Sequence, residues 1–264
     1  MQDFEYSRPS SLTDAVAAMQ GAEEGKFMAG GQSLLPAMKL DLAAPSAVIS
    51  LADVGELNGI TRDGGILTIG ALTTHAEVAE ADVVRDAIPA LAELASHIGD
   101  PQVRNRGTLG GSVAHNDPAA DYPAALVAFG ATVVTDRREL AAEDFFGSSF
   151  ETALEETEIV VSVRFPVPDK AAYAKFASPA SKYAVVGVMV AKTGEDVRVA
   201  VTGAGHGVFR VPEMESGLAT EFAPGSVADV RVDAAGLISD TDASAEYRAH
   251  LVTVMAGRAV TACA

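Results

Sequence analysis

The spacing of apolar positions changes several times along the chain, and each change predicts an element. Phe4-Glu5-Tyr6 reads as a short strand, the chain turns at Pro9, and Ser11-Leu12-Thr13-Asp14 opens a helix with Leu12, Val16 and Met19 on one face. Lys26-Phe27-Met28-Ala29 predicts a strand, and Leu34, Leu35, Met38 and Leu40 predict a short helix from Ser33. A strand over 47–50 precedes Gly59-Ile60-Thr61 and Ile66-Leu67-Thr68-Ile69, which flank Arg62-Asp63-Gly64-Gly65 as the arms of a hairpin. Thr74-His75-Ala76-Glu77 has capping-box spacing for a helix, and a second helix is expected over 89–98, stopped by Gly99. Residues 100–107 lack a hydrophobic period and predict a loop placed for binding. Pro118-Ala119-Ala120-Asp121 opens a helix through Leu126 and Phe129, and a strand follows over 131–135.

Residues 159–165 form a strongly β-branched strand that ends at Pro166 and Pro168, the clearest boundary in the chain. The remainder reads as a separate α+β unit. Its strands lie near 173–176, 185–191 and 197–202, its first helix enters at Pro212, and its last covers about 243–260. No repeat of solenoid period is present.

With 264 residues, 48% of them hydrophobic, the chain can bury a substantial core. It has no apolar run of membrane-spanning length and no basic-then-apolar leader, so a cytoplasmic protein with no membrane span is expected. The net charge of −17 opposes binding to nucleic acid. It also repels anions at long range, so any phosphate site must rely on local N–H groups. The one cysteine, Cys263, excludes an internal disulfide and a cysteine-ligated metal or iron–sulfur site made by this chain alone. The five histidines show no ligand spacing, and no metal site is expected.

Two short motifs carry the candidate chemistry. Ala29-Gly30-Gly31-Gln32-Ser33 and Thr108-Leu109-Gly110-Gly111-Ser112 each join a glycine pair to a small hydroxyl residue. Glycine pairs allow positive φ and close approach of a ligand, leaving amides free for phosphate oxygens, so the two turns are expected to form halves of one cradle for a dinucleotide pyrophosphate. The second is followed by the polar cluster Ala114-His115-Asn116-Asp117-Pro118-Ala119-Ala120-Asp121, suited to hydrogen bonding a sugar or sugar alcohol. His115 in this cluster is equally readable as a ligand contact or a structural histidine. Gly203-Ala204-Gly205-His206-Gly207 lacks the third glycine of a Rossmann fingerprint and runs on as extended chain, so it reads as a connecting turn. Gly110-Gly111-Ser112-Val113-Ala114 approximates a nucleophile elbow, but Arg104-Asn105-Arg106 cannot supply the buried strand that an elbow needs. No catalytic constellation is therefore assigned.

With these motifs in order, the chain resembles the FAD-binding medium subunit of molybdenum hydroxylases, the family that includes carbon monoxide dehydrogenase and the flavin domain of xanthine dehydrogenase. The resemblance rests on residues 29–36, Ile69-Gly70-Ala71-Leu72-Thr73-Thr74-His75, residues 105–112 and residues 114–121, with a further stretch at Lys175-Phe176 and residues 179–187. It implies an α+β, PCMH-type FAD-binding fold of two subdomains, 1–55 and 56–166, followed by a C-terminal domain, 167–264, with a three-stranded antiparallel sheet and helices. It implies that FAD contacts Ala29, Gly30, Gly31, Gln32, Ser33 and Leu34, and Thr108, Gly110, Gly111 and Ser112 around the pyrophosphate. Gly70, Ala71, Thr73 and Thr74 would line the cofactor, His115 and Asp117 would lie beside it, and Asp121 would accept from the ribityl chain. Ile159 and Val160 would offer backbone contacts near the isoalloxazine, with Lys175 and Tyr183 approaching the ring. Asp41 and Ala177 depart from positions where the family often carries basic residues, which weakens transfer of surface contacts. The implied role is an electron exit: a molybdopterin large subunit hydroxylates substrate, an iron–sulfur small subunit relays electrons, and FAD on this chain passes them to an external acceptor. A stand-alone FAD oxidase and a non-catalytic FAD-binding or assembly module are the alternatives.

Overall fold

The computed structural model describes residues 2–263 and contains three sheets in sequence order. The first is parallel, in the order β1-β3-β2. It is built from β1 (Glu5–Ser7), α1 (Leu12–Gln20), β2 (Gly25–Met28), α2 (Leu34–Lys39) and β3 (Ala47–Ser50). Ser11 caps α1 by accepting from the Asp14 amide, and α1 buries Ala15 and Met19 against Ile49, Leu51 and Leu57. The chain runs from β2 directly into the first glycine pair, which opens towards α2.

The second sheet is antiparallel throughout, in the order β4-β5-β8-β6-β7. Its hairpin is β4 (Ile60–Asp63) and β5 (Ile66–Gly70), followed by α3 (His75–Glu80), α4 (Asp82–Ala87), α5 (Pro89–Ser96), α6 (Pro101–Arg104), α7 (Leu109–His115) and α8 (Tyr122–Phe129). Then come β6 (Thr132–Thr135), β7 (Glu139–Ala141), α9 (Ala142–Phe145) and the central β8 (Val160–Pro166). The capping box of α3 is complete: the Glu77 amide donates to the Thr74 hydroxyl, and the Thr74 amide donates to the Glu77 carboxylate at 2.7 Å. All of α8 is buried, in keeping with its apolar composition on every face.

Two local expectations are corrected here. Residues 100–107 are not all loop, because Asp100 accepts from the Val103 amide and Pro101 occupies the first helical position of α6. Nor is the second glycine pair a turn. Thr108 caps α7, and Gly110 and Gly111 lie in its first turn without positive φ. Helix α4 has no counterpart in the sequence reading, since Val83-Val84 disfavours helix locally and burial of Val84 and Ala87 overrides that preference.

The third sheet is antiparallel, in the order β12-β11-β10-β9. It comprises β9 (Lys170–Ala177), β10 (Ala184–Thr193), β11 (Asp196–Thr202) and β12 (Phe209–Arg210), with α10 (Pro212–Thr220), α11 (Gly225–Ala228) and α12 (Ala245–Ala262). It therefore has four strands, the fourth being two residues of the extended run after Gly207 that pair with Ala200 and Val201. Nor does the C-terminal part keep a core to itself. Helix α12 covers one face of the sheet, whereas Tyr173, Met189, Ala191 and Ala200 join the core of the second sheet. Strand β10 is buried on both faces over residues 184–191, which explains its nearly unbroken apolar run.

Candidate functional site

The two glycine motifs, distant in sequence, meet in space because neither has a side chain in the way. A Cβ on Gly30 would fall 2.0 Å from the Arg106 carbonyl oxygen, and one on Gly110 would fall 2.4 Å from the Ala71 Cβ. Gly107 lies so close to His75 that a Cβ there would sit 2.6 Å from the imidazole Nε2. Glycine thus lets three backbone segments, around residues 30, 71 and 107, stack at main-chain distance. Beside this stack opens a cleft of about 710 Å3, lined by residues 26–34, parts of α6 and α7, residues 158–160 and residues 181–183.

The two halves of the cradle are not equivalent. Among the described residues, the amides of Gly30, Gly31, Gln32 and Ser33 donate no hydrogen bond within the chain, and Gly31 takes φ +71. The Ser33 hydroxyl makes no capping bond. This loop fits the expected array of free donors. At the second motif the amides are already used. Leu109 donates to the Thr73 carbonyl at 3.0 Å, Gly110 to Ala71 at 2.8 Å, and Gly111 to the Thr108 hydroxyl at 3.1 Å. Its glycines serve close packing, and what it presents to the cleft is small side chains, including the Ser112 hydroxyl.

Most of the expected contact residues line the cleft: Ala29 to Leu34, Ala71, Thr108, Gly110 to Ser112, His115, Asp117, Asp121, Ile159, Val160 and Tyr183. Gly70, Thr73, Thr74 and Lys175 are not among the residues that line it. The Thr73 hydroxyl is buried against Asn58 and Gly59, and Gly70 packs on the Leu57 carbonyl. The Ile159 amide and carbonyl both pair with Asp136, so its main chain is engaged within the protein. His115 lines the cleft, and its ring packs on Phe150 with centroids 5.0 Å apart. Phe150 holds φ +62, and its amide donates to the Asn116 carbonyl.

Lys175 reaches the site through another residue. Its ammonium donates to Asp121 Oδ2 at 2.8 Å and to the His97 carbonyl at 3.1 Å, while the Tyr173 hydroxyl donates to Asp121 Oδ1 at 2.5 Å. Burial pushes the Asp121 carboxyl up, against the pull of Lys175 and Tyr173. Two cleft residues with shifted pKa values, His75 and Glu158, lie outside the expected contacts. His75 is 5% exposed, and its Nδ1 lies 3.3 Å from the Tyr122 hydroxyl. Burial and then the Arg104 charge lower its pKa to about 4, so the ring is neutral at pH 7. The Glu158 carboxylate, held by Arg138, the Glu155 amide and Thr135, is lowered to about 2. A capping-box histidine and a glutamate before a strand gave no local signal of a cleft, because their burial is tertiary.

A cleft this size, with free amides and a positive-φ glycine on one wall and the carboxylates of Asp117 and Asp121 on another, suits a ligand with phosphates and hydroxyl groups. The glycines at 30, 107 and 110 let these backbone segments pack where any Cβ would collide, and so shape the wall of the cleft. The site is that of a dinucleotide-binding protein. Residues 2–168 match the family described as FAD binding domain in molybdopterin dehydrogenase, and the chain belongs to this family of FAD-binding medium subunits of molybdenum hydroxylases.

Similarity extends over the whole length. The chain is 37% identical to the nicotine 6-hydroxylase medium subunit of Paenarthrobacter nicotinovorans, over 97% of this chain and 95% of that one. It is 36% identical to the carbon monoxide dehydrogenase medium chain of Hydrogenophaga pseudoflava, over 98% and 96%. A solved quinoline 2-oxidoreductase from Pseudomonas putida 86 superposes with a TM-score of 0.90 at 28% identity, covering 99% of this chain and 97% of that chain. These relatives include medium subunits of multi-subunit oxidoreductases, and FAD is the cofactor of the family. Among the described residues no helix is long and apolar enough to cross a membrane.

Proposed function

We propose that this chain is the electron exit of a cytoplasmic three-subunit hydroxylase. An iron–sulfur small subunit delivers electrons taken from substrate at a molybdopterin large subunit, and this chain passes them to an external acceptor. The observation that supports this reading best is the full-length likeness to medium subunits in a chain whose one cysteine cannot ligate a cluster. Bound FAD supplies the ability to take up and release electrons singly or in pairs. The protein's share is to bind and orient it.

In this reading the amides of residues 30–33 donate to the pyrophosphate, with the Ser33 and Ser112 hydroxyls adding to them. Asp121 accepts from the ribityl chain, with Asp117 and His115 beside it. Ala71, Ile159, Val160 and Tyr183 bound the space for the ring. Gly70, Thr73 and Thr74 hold the Ala71 wall from behind. The domain limits 1–55, 56–166 and 167–264 belong to the same proposal.

The test compares the purified chain with the assembled complex. The chain alone should bind FAD and fail to reduce a dye with any hydroxylase substrate, whereas the complex should reduce it, with iron–sulfur absorbance bleaching before flavin absorbance. Turnover of an organic substrate by the isolated chain would overturn the relay in favour of a self-sufficient oxidase.

A further inference from the structure

The FAD-binding family model ends at residue 168, yet the acidic wall of the cleft, residues 117–121, is held from beyond that point. Strands of the third sheet grip its main chain. The Gly203 amide donates to the Pro118 carbonyl at 2.8 Å, the Ala184 amide to Ala119 at 3.3 Å, and the Thr202 hydroxyl lies 2.6 Å from the Ala120 carbonyl. The same sheet grips the one carboxylate at the end of the segment, with Tyr173 on one Asp121 oxygen and Lys175 on the other. Gly187, opposite Lys175 in the register, makes this possible: a Cβ there would fall 2.1 Å from the Tyr173 hydroxyl oxygen.

Stability does not explain the arrangement. The Asp121 and Lys175 side chains are each only 4% exposed, and apolar residues of similar volume commonly stabilise a core as well as a buried ion pair does. Of the three polar groups, only Asp121 lines the cleft. We propose that Tyr173 and Lys175 are positioning residues that fix the Asp121 carboxylate for the cofactor, with Gly187 clearing the space for the Tyr173 hydroxyl. FAD retention is then controlled from the C-terminal sheet, outside the segment that the FAD-binding family model covers. This inference rests on the reading of the cleft as the FAD site.

The charged and titratable groups that face Asp121 are Lys175 and Tyr173 from β9, His97 from the end of α5, Tyr122 from α8 and Tyr183 from the cleft; Asp117 acts on Tyr183 as Asp121 does. Removing Lys175 leaves the carboxylate buried without a cation, so it holds its proton to higher pH.

The experiment measures FAD affinity by fluorescence quenching across pH 7–9, with thermal melts of the cofactor-free chain alongside. It uses the full-length parent, Tyr173→Phe, Lys175→Met, Lys175→Arg and, as a reference at the other wall, Gly30→Ala. Tyr173→Phe keeps the ring and should raise Kd about tenfold, the scale of one charge-assisted hydrogen bond. Lys175→Met should weaken FAD binding and make it rise more steeply with pH than in the parent, a difference that Lys175→Arg removes. If Tyr173→Phe and Lys175→Met bind FAD as the parent does at every pH while Gly30→Ala does not, the positioning role is overturned and the cleft reading stands. If the parent itself fails to bind FAD, both are overturned.

Discussion

Replacing Gly30 by alanine tests the architecture of the cradle with one methyl group. The new Cβ would sit 2.0 Å from the Arg106 carbonyl oxygen and 2.9 Å from the Gly107 Cα, where ordinary contact begins at 3.4 Å. Both neighbours are backbone, so no rotamer change relieves the overlap. The loop at 29–33 and the strap at 106–107 must part by about 1.4 Å, close to half a hydrogen-bond length. Overpacking of this kind destabilises by about 1–3 kcal/mol. Its effect on cofactor is larger. A shift of that size takes at least two of the amides of residues 30–33 out of range of a phosphate, at roughly 1.5–3 kcal/mol each, so Kd for FAD should rise more than a hundredfold. The assay is FAD titration of the cofactor-free chain, with its melting followed separately. Gly257→Ala provides the contrast, because a Cβ there meets nothing within 4 Å and the residue lies inside α12. That variant should bind FAD normally and gain about 0.5–1 kcal/mol. A Gly30→Ala chain that binds FAD as tightly as the parent would refute the reasoning, since the close approach of these two backbones would then not shape the cradle.

Acid should destabilise the chain through His75. Its folded pKa is about 4 against 6.5 for the unfolded ring, so the unfolded state binds more protons between these values. The contribution is intact above pH 6.5 and is lost as pH falls towards 4, amounting to about 2.5 kcal/mol at pH 4.5. Urea melts at pH 7 and 4.5 should show this slope in the parent and a shallower one in His75→Gln; equal slopes would remove His75 as the cause. Glu158→Gln should cost roughly 1–3 kcal/mol at pH 7, because the Arg138, Glu155 and Thr135 donors lose an ionised acceptor. The same comparison below pH 2, where the parent carboxyl is also protonated, should show little difference.

Much of this was legible in local sequence. The hairpin at Asp63-Gly64-Gly65, the capping box at Thr74 and the β-branched run of β8 each specify their own conformation, and the structure has them at the expected places. The glycine pairs were also visible, but not the difference between them. Whether an amide is free depends on which carbonyl the fold brings to it, and Ala71 and Thr73 reach the start of α7 from another part of the chain. The resemblance brings Lys175 towards the ring, but its pairing with Asp121 depends on how the third sheet meets the cleft, which no local motif shows. Helix α6 carried its signal in Asp100-Pro101, an N-cap followed by a first-turn proline, which the absence of hydrophobic period obscured. Strand β12 is two residues long and exists only because β11 offers it an edge.

The inequality of the two glycine motifs gives the cleft a polarity. Donors without partners lie on the 30–33 loop, whereas the start of α7 has already spent its amides and the facing segment carries Asp117 and Asp121. For a cofactor with phosphates in its middle the two walls are unlike: the free amides of the 30–33 loop suit the phosphates, and the carboxylate side suits an arm that carries hydroxyl groups. Phosphate set against those carboxylates would add repulsion in a chain that already carries a net charge of −17. The cleft thus sorts the groups of a ligand by charge, with phosphate suited to one wall and hydroxyl to the other.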